Sequence, residues 1–446
     1  MAELIGAAEA AERLGVKPAT LYSYVSRGVL PRRRAAGGRA SLFDADEVAE
    51  LARHGRPRGR ATSGELVIES AITQISGGRL RFRGLDATDL AARCSFEDVA
   101  GLLWTGMLPG PGESQAGWWR PAGGGQAAAT AAQAALPAGA LPLERLQVIV
   151  PALAAADPFR LQLTPPAVMA AGRSIIAGMV DCLPPPQSAP PPASPAAGGQ
   201  QPQTAGGAEP PAAGGAEPGA VPEPEPLAAG GAQVSGDSIA ARLWRRLCPR
   251  PPAPRLLAAL QAALVLLADH ELAASTFAAR VAASVRADPY AVVATGLGAV
   301  GGALHGGAAL GAEMMFAAAA GPADVPRVVG DLLRRGERIP GFGHFIYSAA
   351  DPRAEFLLAA LRAAAPGSAR LAVAEAAVAE TARRGLPQPN IDFALAALTS
   401  VAGMPQGAGQ AIFAVARTVG WLAHALEAYA EGTPLRPRAV YTGHGR

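Results

Sequence analysis

Cysteine, lysine, aromatic rings and long unbroken apolar runs are all scarce in this chain, and each scarcity removes a class of protein. The three cysteines, Cys94, Cys182 and Cys248, are scattered and form no C-x-x-C pair. That excludes a disulfide framework and a thiolate zinc site, and fits a reducing cytoplasm. Aromatics make up 5% of the residues, while 50% are apolar, chiefly Ala, Leu and Val. Ala and Leu cost little in a helix whereas strands recruit β-branched and aromatic residues, so an all-α body is expected. No stretch of about twenty residues is apolar without Gly, Pro or charge breaks, and MAELIGAAEAAERLG reads as an acidic helix. Neither membrane insertion nor secretion is expected. Lys17 is the only lysine, and Arg takes its place alongside an excess of Ala, Gly and Pro, so Arg counts alone carry little weight. A net charge of +3 is too small to coat the whole surface for nucleic acid, but leaves room for a local basic patch.

What is present divides the 446 residues into two or more packed units. Residues 1 to about 60 form the first. AAEAAERLGVKPATLYSYVSRGVL reads as two short helices, with Ala7, Ala10, Ala11 and Leu14 as an apolar stripe, Gly15 as a break and Pro18 opening the second. Tyr22, Val25 and Leu30 pack behind. PRRRAAGGRASLF is a basic hairpin candidate, and in DADEVAEL Asp44 is a candidate N-cap with Glu47 three residues later. This order resembles the winged helix-turn-helix of MerR-type regulators. The resemblance implies a second helix presenting Thr20, Tyr22, Ser23 and Arg27 to a DNA groove, with Arg32, Arg33, Arg34 and Arg39 on the hairpin. Such folds also serve as protein-interaction modules, so both roles stay open.

RHGRPRGRATSG, residues 53 to 64, reads as a linker. GELVIESAITQISGGRLRFRG then alternates like a hairpin, and DLAARCSFEDVAGLLWTGMLP returns to helical spacing. Residues 183 to 234 are almost all Pro, Ala, Gly and Glu and read as a disordered insertion between helices. From Ser235 the helical texture resumes, broken at GALHGG, PGFGHF and LPQPN.

Those breaks hold His305, His344 and Asp392. Singly, a loop histidine is most often a surface or capping residue. Together they supply what the condensation of an acyl thioester with a keto acid needs: one carboxylate base and hydrogen-bond donors for two carbonyls. The strings DHELAAST, GGALHGGA, GFGHFIYSAADPRA, PNIDFALAAL, ARTVGWLAHALE and LRPRAVYTG, in that order, resemble citrate synthase over roughly residues 65 to 446, the low-complexity insertion excepted.

The resemblance implies a mainly α fold of two helical domains, a large one of about 65–305 plus 398–446 and a small one of about 306–397 that closes over the substrate, with His305 at the hinge. It implies that Asp392 takes a proton from the methyl of acetyl-CoA, that His305 holds the thioester oxygen, and that His344 polarises the keto carbonyl of oxaloacetate. Citryl-CoA would then be hydrolysed to citrate and CoA. No metal or cofactor is implied; the CoA thioester is itself a substrate. Arg353, Arg417 and Arg436 would hold the carboxylates, Arg436 reaching the other subunit's site in a homodimer. A solvent-facing role stays open for Arg436, which has Arg438 as neighbour. His270 would contact the keto acid or be a buried structural histidine. Asp269 anchors a loop or cap, and Trp421 and His424 pack in the penultimate helix. Phe345 and Ser348 stand where relatives commonly carry basic residues near the CoA phosphates, and Ala273 where Asn is common. Two alternatives remain: a 2-methylcitrate synthase using propionyl-CoA, and a DNA-binding regulator with a synthase-like sensor domain.

Overall fold

A computed structural model of the chain describes residues 4–14, 21, 30, 33–34, 41–45, 48, 67–110, 119–121, 124–186, 234–347 and 349–439. The linker at 53–64, nearly all of the insertion, Ser348, and Thr20, Tyr22, Ser23, Arg27, Arg32 and Arg39 lie outside them. The chain divides into two compact units, one of Met1–Glu69 with Pro437–Arg446 and one of Ser70–Arg436.

In the first unit Leu4–Gly6, Ser41–Asp44 and Arg33–Arg34 make an antiparallel sheet with Ser41–Asp44 in the middle. The basic hairpin expected from the sequence is therefore paired, Arg33 opposite Leu42 and Arg34 opposite Ser41. The acidic helix starts later than its composition suggests. Leu4–Gly6 is a strand, because Ile5 pairs with Phe43 and both enter the core, and the helix runs only over Ala7–Arg13. Ala10, Ala11, Leu21, Leu30, Ala45 and Val48 complete that core, with Ala7 and Leu14 against its edge, as the apolar stripe predicts.

The second unit opens with the hairpin Thr73–Ser76/Arg79–Phe82, whose turn is Gly77-Gly78 at φ 59° and 73°. Two consecutive positive-φ residues form the tight turn whose twist matches the strands, and glycine takes that conformation without strain. Leu85–Asp86 adds a short third strand beside Arg79–Phe82, and the regular structure beyond it is helical, as composition predicts. Its axis is Ala408–Glu431, 24 residues, nearly all buried. Around it pack Phe96–Thr105, Pro165–Asp181, Pro254–Leu267, Ala274–Ser284 and Pro289–Val300. Small residues let them approach: a Cβ on Gly296 would lie 2.5 Å from the Trp421 ring. A second group, Gly307–Ala318, Pro352–Ala364 and Ala369–Arg383, packs around Ile391–Ala402. No helix among the described residues is long and apolar enough to cross a membrane.

Candidate active site

The loop that carries His305 is built by its own backbone. After Pro289–Val300 the chain doubles back, His305 N donating to Gly302 O (3.0 Å) and Gly306 N to Val300 O (2.9 Å). A side chain at Gly306 would strike that same carbonyl, so only glycine closes the turn. Gln410 Nε2, from the long helix, donates to Gly306 O at 3.0 Å. His305 Nε2 lies 2.7 Å from Ser275 Oγ, which also accepts from Trp421 Nε1 at 3.2 Å. An indole N–H only donates, so Ser275 Oγ accepts from Trp421; when its own hydroxyl hydrogen goes to His305 Nε2, the imidazole proton sits on Nδ1. Burial, with the Arg417 cation nearby, lowers the His305 pKa to about 4, so the ring is neutral at neutral pH.

The loop that carries His344 is tied by a short bridge to the loop that leads into Asp392. Phe342 pairs with Pro389, Gly343 N donates to Gln388 O (2.8 Å), Asn390 N to Gly341 O (2.8 Å) and Asn390 Nδ2 to Gly343 O (2.8 Å). Gly341 has φ 80°, and its missing side chain makes room for the backbone of Phe393. The backbone N–H groups of Ile346 and Tyr347 both point at His344 Nδ1, at 3.0 and 3.3 Å. The ring hydrogen is therefore on Nε2, which faces Arg353 Nη2 at 3.3 Å. Two donors converge there, an arrangement that a substrate oxygen accepting from both would satisfy. Burial and the Arg353 charge lower the His344 pKa.

Arg353 is itself fixed. Its Nε and Nη2 form a fork onto Asp351 at 2.9 and 2.8 Å, and Asp351 Oδ2 also accepts from Ile391 N at 3.1 Å, tying this pair to the residue before Asp392. Burial opposes the charge of both partners, but each offsets it for the other: the Asp351 carboxyl stays below and the Arg353 guanidinium above its ordinary pKa. His270 lies at the same place, Nε2 3.1 Å from Tyr347 Oη and its ring edge-on to His344 at 5.3 Å. Burial, reinforced by Arg353 and Arg417, holds its pKa well below the usual imidazole value.

Asp392 sits in the first turn of Ile391–Ala402, and its Oδ1 is enclosed with no hydrogen-bond partner. Burial raises its pKa to about 6, against the pull of Arg353 and Arg417. Arg417, on the long helix, donates through Nε to Leu267 O at 2.8 Å and stacks 4.6 Å from the Phe413 ring centroid; its Nη1 is enclosed and unpartnered. Phe413 also meets the His305 ring edge-on at 5.5 Å. The second unit therefore gathers a reluctant carboxylate, two imidazoles of lowered pKa, and two buried guanidiniums.

Residues 61–183 and 224–438 match the family described as citrate synthase, C-terminal domain. The chain belongs to the citrate synthase family. Residues 4–56 match a helix-turn-helix domain, so the first unit is one. Among similar proteins, the citrate synthase of Haloferax volcanii is 32% identical over 401 residues, covering 86% of this chain and 95% of the relative. A 2-methylcitrate synthase of Mycobacterium tuberculosis is 28% identical, covering 86% and 90%. The crystal structure of citrate synthase from Pyrobaculum aerophilum superposes with a TM-score of 0.63 at 25% identity, covering 85% of this chain and 91% of that one. The mainly helical citrate synthase fold expected from the sequence is thus present.

Of the residues singled out in the sequence of this citrate synthase family member, His270, His305, His344, Arg353, Asp392 and Arg417 come together. Arg436 does not: it is exposed in the extended segment after the long helix, where Leu435 N donates to Ser284 Oγ. Trp421 and His424 are buried as expected, although their helix is the last among the described residues rather than the penultimate one, and Asp269 anchors the turn before His270 by accepting from Thr73 Oγ1 at 2.6 Å. Phe345 is fully exposed, and Ala273 is an N-cap without a side-chain bond. Sequence reasoning missed Ser275, Tyr347, Asp351 and Phe413. The first three lie inside strings already singled out; Phe413 stands just before ARTVGWLAHALE.

Proposed function

We propose that this chain is an acyltransferase that joins acetyl-CoA to oxaloacetate, converting the acyl group to alkyl on transfer and releasing citrate and CoA. The observation that carries this is Asp392, a carboxylate with an enclosed oxygen and a pKa of about 6, set among His305, His344, Arg353 and Arg417. Such a base is stronger than an ordinary carboxylate yet mostly ionised at neutral pH.

Asp392 takes a proton from the thioester methyl. The negative charge moves to the thioester oxygen, where His305 Nδ1–H holds it as the enol or enolate. The methylene carbon attacks the keto carbon of oxaloacetate, and His344 Nε2–H, beside Arg353, gives its proton to the developing alkoxide. Water then cleaves the thioester, giving citrate and CoA thiol. Arg353 and Arg417 hold the two carboxylates. Arg436, exposed at the end of the second unit, would complete the site of a partner subunit in a homodimer. Phe345 and Ser348 give the CoA phosphates no basic partner at those two positions.

The similarity to a 2-methylcitrate synthase supports a second acyl substrate, propionyl-CoA. One methylene is worth about 1–3 kcal/mol in a pocket, so the two are separated by rates. Product analysis by mass spectrometry with each thioester tests this: faster citrate than methylcitrate formation supports the first reading, and the reverse ratio replaces it with the second. The helix-turn-helix domain supports DNA binding through Thr20, Tyr22, Ser23, Arg27, Arg32, Arg33, Arg34 and Arg39. If it binds, affinity for duplex DNA falls steeply with salt; flat or absent binding assigns the domain to protein contacts.

A further inference from the structure

Arg417 and Asp269 are opposite charges buried at one seam, and each has an atom with nothing to bond. The seam joins one turn of the long helix to the turn before His270, through Arg417 Nε to Leu267 O at 2.8 Å and Gly420 N to Ala268 O at 3.0 Å. Gly420 is required there, because a Cβ would collide with both Ala268 O and Asp269. Asp269 Oδ2 accepts from Thr73 Oγ1 (2.6 Å) and faces His424 Nε2 (3.4 Å), but Asp269 Oδ1 is enclosed and unpartnered, as is Arg417 Nη1.

The neighbouring cations have counter-ions of their own. Behind His424, Arg280 Nη1 lies 3.1 Å from His424 Nδ1 and its guanidinium pairs with Glu427 and Glu431. Arg353 pairs with Asp351. Asp392, the other carboxylate near Arg417, is the more reluctant to ionise. Asp269 is held ionised despite its burial by His424, Arg417 and Thr73.

We propose that Asp269 is a positioning residue: the buried counter-charge that keeps the Arg417 guanidinium in place while the pocket is empty, and that opposes the substrate carboxylate which takes over this role when the pocket fills. The second half rests on reading Arg417 as a substrate-binding cation. The physical reason is general. A buried cation with no anion is strongly destabilising, so the empty protein needs one. An anion that stays in place then repels the incoming carboxylate through a medium of low effective dielectric. Asp269 thus stabilises the empty site and weakens binding, setting affinity below what two guanidiniums alone would give.

The test is a double-variant cycle on the ligand-free protein with Asp269→Asn, Arg417→Met and both together, read by urea unfolding, followed by calorimetric titration of Asp269→Asn with oxaloacetate. Asp269→Asn should lower the folding equilibrium constant by about tenfold or more alone, and by less than about threefold in the Arg417→Met background. It should also bind oxaloacetate about five- to tenfold more tightly than wild type. Equal losses in both backgrounds, or unchanged or weaker oxaloacetate binding, would overturn the proposal; a purely structural Asp269 gives that result. If Asp269→Asn alone does not fold, a folded double variant supports the proposal and an unfolded one overturns it. A wild-type protein that binds no oxaloacetate refutes the functional reading, and the ligand-free cycle still decides whether Asp269 is the counter-charge of Arg417.

Discussion

Replacing Asp392 by Asn should make the protein more stable and nearly inactive, and the gain in stability should depend on pH in a defined way. In the unfolded chain this carboxyl titrates near 3.8, and in the folded one near 6. The folded state therefore holds its proton more tightly. The favourable contribution is fully present below about pH 4, is lost as pH rises through 6, and leaves the native protein carrying a buried anion above that. A shift of about 2 units corresponds to about 3 kcal/mol, an upper bound because the pocket relaxes when the charge is removed. Asn has nearly the same shape and no charge. It should raise the urea midpoint at pH 8 by an amount equivalent to about 1–3 kcal/mol and leave it unchanged near pH 4. Turnover should fall by a factor on the order of 10² to 10⁴, the usual contribution of a positioned base. The assay is paired urea melts of both proteins at pH 8 and pH 4. A variant that is less stable at pH 8, or whose gain is the same at both pH values, refutes the claim that this carboxylate is held ionised against its environment.

Other perturbations follow from particular contacts. Ser275→Ala removes the hydroxyl that holds His305 Nε2 and should lower kcat about 10- to 100-fold with little change in KM, measured by steady-state kinetics. Arg353→Lys cannot reproduce the fork onto Asp351 and leaves that carboxylate buried with a poorer partner; stability should drop by about 3 kcal/mol and KM for the keto acid should rise, read by urea melts and initial rates. Ala273→Asn restores a side-chain cap to the helix that carries Ser275 and should stabilise by about 1 kcal/mol in thermal melts. Gly296→Ala drives a methyl into the Trp421 ring and should cost about 1–3 kcal/mol.

Much of this was legible in the sequence because the local signals agree with the fold. The Gly77-Gly78 pair between alternating residues specifies a hairpin, and the paired strands confirm it. The glycine- and proline-marked breaks led to His305, His344 and Asp392 because these residues need backbones that turn sharply and approach one another. The start of the first helix was misread because Leu4–Gly6 runs directly into the Ala- and Glu-rich segment that is helical, and the strand is decided by a partner, Phe43, far along the chain. Asp351 and Tyr347 escaped for a related reason. Nothing in the spacing of DPRA says that its aspartate will grip the arginine two residues on, or that Tyr347 Oη will meet His270; those contacts follow from the packing of the loops.

The proposed chemistry turns on Asp392 taking a proton from an acyl thioester. The most direct measurement is thiol release from acetyl-CoA with oxaloacetate by purified wild type and by Asp392→Ala shown to be folded. Wild type should release thiol in an oxaloacetate-dependent way, and the variant should lose nearly all of that release. Undiminished release by Asp392→Ala, or none by folded wild type with either acetyl-CoA or propionyl-CoA, would contradict it.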